Sequence, residues 1–329
     1  MIEVRHLTKR YGAHTAVSDL SFTVEKGQIY GFLGPNGAGK STTLNIMTGC
    51  LAATSGEVKI GGYDIFEEAA EAKRLIGFLP EQPPLYPDRT PREYLSFVAE
   101  AKGVSKADIP EQIARVMEVT QITDMADRLI KNLSKGYKQR VGIAQALLGE
   151  PEVIILDEPT VGLDPRQIIE IRELIQELGK THTIILSSHI LSEVRAVCQT
   201  ILIISGGKLV ACDTPENLEK LFAGRSIIRL IADAAEEKTE AILSGVGGAH
   251  IESAAIREDG KTEVRLECGG EDTTALCREL FFAFSGQDTA ILELTTERAS
   301  LEDIFIELTE VEAKAEPAED EAVQEVESA

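Results

Sequence analysis

The sequence predicts an α/β protein with a smaller α+β unit behind it, and three observations carry this. Uninterrupted apolar runs near Ile29–Leu33, Val153–Leu156 and Thr183–Leu186 read as strands buried on both faces, the habit of parallel sheets. Helix-compatible stretches separate them, after Gly39, over 92–130, from Ser134 to Leu148 and after Pro165. Past Arg225 the pattern becomes strand (226–232), helix (233–245), strand (249–257), strand (261–268), helix (271–285) and strand (288–295). That β-α-β-β-α-β order is the split, ferredoxin-like pattern. The expected domains are therefore 1–222, 223–309 and an acidic tail, 310–329.

Residues 2–7 and 20–24 alternate apolar and polar, as half-buried strands do. Tyr11 is expected in the loop between them, where an aromatic ring can stack on a base or simply face solvent. Gly27 turns the chain into the apolar run Ile29-Tyr30-Gly31-Phe32-Leu33. Next comes Gly34-Pro35-Asn36-Gly37-Ala38-Gly39-Lys40-Ser41-Thr42, which fits the phosphate loop G-x-x-x-x-G-K-[ST]. Glycine lets the backbone bring its N–H groups close to phosphate oxygens, and the helix that follows turns its positive end toward them. Lys40 is placed for the β- and γ-phosphates and Ser41 for Mg²⁺.

Val58–Ile60 and Leu75–Leu79 read as short strands. Four prolines in Pro80–Pro87 exclude regular structure there, and Gln82 sits just past a buried strand, where α/β proteins commonly place functional loops. Within 92–130, Tyr94, Phe97, Val98, Ile113, Val116 and Met117 recur at helical spacing. Ser134 and Gly136 suit a helix start with outward N–H groups. Val153–Leu156 ends in Asp157 and Glu158, and carboxylates in that place can hold Mg²⁺ and polarise water, or merely emerge into solvent. Thr160–Asp164 forms a turn, and Pro165 can open a helix. Ser187-Ser188-His189 follows another buried strand; alone, its histidine is an ordinary loop residue. Thr200–Ala211 reads as a hairpin and Thr214-Pro215 as a helix start; a short helix is expected at Leu301–Leu308.

Composition narrows the function. The 329 residues are 43% hydrophobic and carry a formal net charge of −22, which argues against broad binding to nucleic-acid backbones. Residues 310–329 hold eight acids and one lysine and are expected to be disordered; the body stays acidic without them. Five cysteines form no C-x-x-C pair and are expected to be small buried hydrophobes in a reducing cytosol. No apolar run is long enough to span a bilayer, and the start is no signal peptide, so the chain is expected to be soluble by itself.

These elements, in this order, resemble the nucleotide-binding subunit of an ABC transporter over about residues 1–222. Gly34–Ser41 resembles Walker A, Leu133–Gln139 the ABC signature and Val153–Glu158 Walker B. Gln82 resembles the Q-loop glutamine, Gly162-Leu163-Asp164 the D-loop, His189 the switch histidine and Tyr11 the adenine-stacking aromatic. The signature departs from Leu-Ser-Gly-Gly-Gln: Lys135 replaces the first glycine and Tyr137 the glutamine, while Ser134 and Gly136 remain. The wording of Leu79–Tyr86, Ser187–Val194 and Ser300–Phe305 is similar to bacterial ABC-2-type exporters of the gliding-motility and multidrug groups.

The resemblance implies a P-loop NTPase fold with a helical subdomain, and ATP and Mg²⁺ as cofactors. It implies a second ATPase subunit as partner, a homodimer being the expectation and a heterodimer the alternative. ATP would lie between the phosphate loop of one subunit and the Ser134–Gly136 signature and Asp164 of the other. Ser41 and Asp157 would hold Mg²⁺, Gln82 would sense it, Glu158 would polarise water, and His189 would contact the γ-phosphate. The cycle would drive a separately encoded integral membrane permease, with the chain peripheral on the cytoplasmic face of the inner membrane. A soluble ABC ATPase acting on ribosomes or DNA repair is the alternative. The translation type usually has two cassettes and the repair type long coiled coils between the Walker motifs; neither feature is in this sequence. A non-catalytic regulatory subunit is disfavoured by the intact Glu158.

Overall fold

The computed structural model describes residues 1–222, 225–247, 249–257, 259–269 and 273–298. These fall into two compact units that divide between Thr214 and Pro215. The expected helix at 301–308 and the tail at 310–329 lie outside the described residues.

The first unit begins with β1 (Ile2–Tyr11), β2 (His14–Val24), β3 (Ile29–Leu33) and α1 (Lys40–Met47). It continues through β4 (Ser55–Ile60), β5 (Tyr63–Asp64), α2 (Ala69–Arg74), β6 (Ile76–Leu79), α3 (Pro91–Ala101), α4 (Ile109–Val119) and α5 (Lys135–Leu147). It ends with β7 (Val153–Leu156), α6 (Pro165–Gly179), β8 (Thr183–Ser188), α7 (Leu191–Val197), β9 (Thr200–Ser205) and β10 (Lys208–Asp213). Two sheets result. One is antiparallel, in the order β2-β1-β4-β5; the other has the order β10-β9-β3-β8-β7-β6 and is parallel from β9 to β6. All residues of β3, β7 and β8 are buried, as apolar central strands covered on both faces must be. One core joins Val4 and Phe22 of the antiparallel sheet, Leu44 and Met47 of α1, and Phe32 and Ile185 of the parallel sheet. The helix after the phosphate loop is thereby clamped between two sheets.

Between β6 and β7 the chain leaves the sheet as a helical insert. There α3, α4 and α5 pack on one another and α5 packs on β6. Local chemistry sets the helix starts. Thr90 and Glu93 form a reciprocal capping box ahead of Pro91, and the Ser134 hydroxyl accepts the Tyr137 N–H at 3.3 Å to cap α5. The Lys102 ammonium donates to the carbonyls of Gln145, Ala146 and Leu148, closing the other end of α5. Phe97 does not join the buried stripe predicted for it. It is 52% exposed and rests against Tyr86, ring centroids 5.5 Å apart, because Tyr94 one turn earlier takes the inward position.

The second unit opens with α8 (Pro215–Phe222). Then β11 (Arg225–Ala232), α9 (Glu236–Leu243), β12 (Ala249–Ile256), β13 (Thr262–Gly269), α10 (Thr273–Gly286) and β14 (Ile291–Arg298) build an antiparallel sheet ordered β12-β13-β11-β14. Its core sets Leu230 and Leu266 of the sheet against Leu243, Leu280 and Phe284 of the helices. On the opposite face Arg229 reaches Glu263 at 2.7 Å and Glu293 at 3.1 Å, one on each neighbouring strand.

Candidate functional site

Every strand from β9 to β6 runs the same way, so the loops after β3, β6, β7 and β8 emerge at one edge of the sheet. Ligands of open α/β sheets bind outside that carboxyl edge. A cavity of about 500 Å³ lies there, lined by the loop residues Asn36–Thr42 and by Tyr11, His14, Glu81, Glu158 and His189.

The loop needs its glycines. Gly39 caps α1 at φ +98°, and a Cβ there would sit 2.5 Å from the Ala16 carbonyl of β2. A Cβ on Gly34 would come within 2.4 Å of the Ile204 carbonyl. Lys40 folds back over this turn. Its buried ammonium donates to the carbonyls of Gly34 at 2.7 Å and Pro35 at 3.2 Å, and lies 3.7 Å from Glu158 Oε1. Burial pulls the ammonium below its ordinary pKa, against the opposing pull of Glu158 and Asp157.

Three consecutive residues at the end of β8 organise the acids. Ser187 Oγ donates to Asp157 Oδ1 at 2.6 Å and accepts the Glu158 N–H at 2.8 Å. Ser188 Oγ donates to Glu193 Oε2 at 3.1 Å. His189 Nδ1 lies 3.0 Å from Glu158 Oε2, so its hydrogen bond requires the proton on Nδ1. Glu158 itself is a non-glycine residue at φ +48°, a left-handed conformation that costs about 1–3 kcal/mol and persists only where its surroundings enforce it. The Ser41 hydroxyl donates to Asp157 Oδ1 at 3.1 Å, which brings two oxygen ligands together beside the loop. Such a pair suits a hard cation; Mg²⁺ would complete its shell with phosphate oxygens and water, and among the described residues no group of three His, Cys, Asp or Glu could hold a metal unaided.

Of the predicted site residues, the fold gathers Tyr11, the loop 34–42, Asp157, Glu158 and His189 here. Tyr11 is the last residue of β1 rather than a loop residue: the strand runs to the two-residue turn Gly12-Ala13, and Tyr11 pairs directly with His14. The residue is 49% exposed, with the Lys9 ammonium 5.0 Å from its ring centroid. Gln82 is exposed and lines a second cavity with Pro83, Leu85, Lys135 and Gln139, while its neighbour Glu81 lines both. Ser134, Gly136 and Asp164 form a separate cluster. Asp164 caps α6 by accepting the Gln167 N–H at 2.9 Å, and a Cβ on Gly136 would meet the Gln167 side chain at 2.7 Å. Cys198 and Cys268 are buried as expected, whereas Cys50 and Cys212 are exposed; a surface turn and an edge strand leave them nothing to pack under.

Ser187, His14 and Glu81 join the site with no motif of their own to mark them. Ser187 stands two residues before the histidine, and its two partners lie 29 and 30 residues away in the chain. His14 was detectable through the two-residue turn that sets it opposite Tyr11.

The chain has matching relatives. The family model described as ABC transporter matches residues 17–161. The linearmycin resistance ATP-binding protein LnrL of Bacillus subtilis (strain 168) is 33% identical over 310 residues, 94% of this chain and 98% of that protein. The bacitracin transport ATP-binding protein BcrA of Bacillus licheniformis is 36% identical over 310 residues, 94% of this chain and 97% of that protein. Among solved structures, the dimeric post-hydrolysis state of the ATP-binding cassette MJ0796 bound to ADP and Pi is 26% identical with a TM-score of 0.59, covering 65% of this chain and 98% of that one. A phosphate loop, paired strand-end acids and a histidine held against the second of them, on a chain so closely shared with such proteins, make this chain an ATP-hydrolysing member of the ABC transporter family.

Proposed function

We propose that the chain binds MgATP between its own phosphate loop and the signature of a second copy, hydrolyses it, and so drives export through a separately encoded membrane permease. The observation that carries this reading is the meeting of Lys40, the Ser41–Asp157 pair and the Glu158–His189 pair at one sheet edge. Lys40 would neutralise β- and γ-phosphate oxygens. Ser41 and Asp157 would hold Mg²⁺, which when bound draws charge off the phosphates. Glu158 would orient and deprotonate water, and His189, with a proton on each ring nitrogen, would keep that carboxylate aimed through Nδ1–H and donate Nε2–H to the γ-phosphate. Tyr11 would stack adenine on the ring face away from Lys9. Phosphoryl transfer asks mainly for such positioning and charge stabilisation.

Gln82, on the neighbouring cavity, would report the state of the site to the permease as the loop moves. The Ser134–Gly136 and Asp164 cluster lines none of the chain's own phosphate-loop cavity, which supports a role toward a partner's nucleotide. Tyr86, 47% exposed, and Phe97 form an aromatic patch directly after the proline-rich loop, and this supports docking of another protein there. No described helix is long and apolar enough to cross a membrane. The chain would sit on the cytoplasmic face through its permease partner. Residues 223–309 would form an accessory domain for assembly or coupling. The relatives' names, linearmycin resistance and bacitracin transport, support export of an antibiotic-like compound.

Affinity capture of the full chain from detergent-solubilised membranes tests this. Recovery of a multi-span membrane protein is expected, in a stoichiometric complex whose ATPase responds to it. Capture of ribosomal or DNA-repair components instead would overturn the transport reading.

A further inference from the structure

Glu193 is a buried carboxylate in the first turn of α7, outside the lining of the phosphate-loop cavity. Its cation partner is distant: Arg172 approaches Oε1 only to 3.8 Å. Its short contacts are with hydroxyls. Oε2 accepts from Thr160 Oγ1 at 2.5 Å and from Ser188 Oγ at 3.1 Å. Both donors are themselves buried. A carboxylate withdrawn from water is costly unless its hydrogen bonds are well made, so this one is committed to those two hydroxyls.

Both hydroxyls flank the reacting pair. Thr160 stands two residues after Glu158, and Ser188 immediately precedes His189. The same oxygen of Glu193 therefore ties the loop carrying the acid to the loop carrying the histidine. The tie matters because Glu158 has left-handed backbone geometry that needs external enforcement. Ser187 holds the Glu158 N–H, and the Val161 N–H holds the Glu158 carbonyl at 3.2 Å. Thr160 lies between those anchors, and its side chain ends on Glu193. On the other strand, Ser188 also accepts the Ile190 N–H at 3.0 Å, so the turn bearing His189 is folded around the same hydroxyl that Glu193 receives.

We infer that Glu193 is a positioning residue for ATP hydrolysis, holding Glu158 in its strained conformation through Thr160 and His189 against it through Ser188. This rests on Glu158 acting on the attacking water. Lys40, the phosphate loop and the Ser41–Asp157 pair are not among the groups Glu193 touches, so nucleotide binding is outside its reach and turnover within it. A displacement of about 1 Å in such a group can cost about a hundredfold in rate.

The test uses the full chain and compares Glu193→Ala, Thr160→Val, Thr160→Ser and the double variant Thr160→Val/Glu193→Ala with wild type, and Glu158→Gln as reference. Steady-state kcat and KM are measured beside the MgATP dissociation constant by calorimetry. Glu193→Ala is expected to lower kcat about tenfold to a hundredfold, with KM and the dissociation constant within about twofold. Thr160→Val, which keeps shape and loses the hydroxyl, is expected to lower kcat in the same way, and Thr160→Ser to restore it. The double variant is expected to be no slower than Glu193→Ala alone, because the contact that Thr160→Val removes is already lost with the Glu193 carboxylate. Wild-type turnover in Glu193→Ala, multiplying effects in the double variant, or equal rates in Thr160→Val and Thr160→Ser would each overturn the inference. If Glu193→Ala does not fold, the Val–Ser comparison decides alone. Near-normal turnover in Glu158→Gln would instead strike the Glu158 reading itself, and the inference with it.

Discussion

Glu158 and His189 face each other across 3.0 Å although 31 residues separate them in the chain. The other carboxylate oxygen of Glu158 looks toward the Lys40 ammonium at 3.7 Å. The acid thus stands between a histidine and the lysine of the phosphate loop, with its side chain 10% exposed. A water on this carboxylate would lie beside the phosphate-loop lysine and be largely screened from solvent.

Glu158→Gln is expected to bind ATP normally, to lose about 10²–10⁴-fold in turnover, and to accumulate as a closed dimer. Glutamine keeps the size and one acceptor, but neither the charge nor the ability to take a proton. Asp157→Asn should differ, weakening nucleotide binding itself when Mg²⁺ is present, because Asp157 and Ser41 are the paired oxygens beside the loop. ATPase rates and the dimer fraction with MgATP separate the two. Near wild-type hydrolysis by Glu158→Gln would remove it as the base.

Lys40→Ala is expected to weaken MgATP binding about ten- to a hundredfold, as loss of charge-assisted hydrogen bonds of about 1.5–3 kcal/mol implies. Lys40 is the one lysine lining the phosphate-loop cavity among the described residues. Calorimetry on the full chain reads this directly; an unchanged dissociation constant would reject the phosphate-loop assignment.

Ser134→Arg should leave ATP binding by the single chain intact and abolish ATP-driven dimerisation. Ser134 is exposed at the start of α5 and lines none of the chain's own phosphate-loop cavity, so a bulky cation there meets only a partner. Sedimentation with ATP decides: normal dimers would reduce Ser134 to a helix cap.

Lys102→Met tests stability rather than chemistry. The ammonium supplies donors to three carbonyls around the end of α5, groups that have no helical partner of their own. Their loss is expected to cost about 1–2 kcal/mol, read as a lower denaturant midpoint at unchanged slope, with ATP affinity preserved.

What the amino-acid sequence determined by itself is everything written within one turn or one strand. Gly34–Ser41 needs only its own glycines and the helix behind it to present N–H groups, and Ser134, Thr90 and Asp164 cap their helices through neighbours three residues away. Strands such as Val153–Leu156 were equally plain, since four consecutive apolar residues ending in acids suit a place at the centre of a parallel sheet. The tertiary structure alone decided how these pieces meet. The strand order sets β8 between β3 and β7, so Ser187 and His189 fall between the phosphate loop and the two acids. It also kept Gln82 off the phosphate-loop cavity that its neighbour Glu81 reaches and forced Glu158 into left-handed backbone geometry. Neither outcome has a local signature, because strand order is chosen by burial of whole apolar faces, and a side chain's partners at the sheet edge follow from that choice rather than from its own neighbours in the chain.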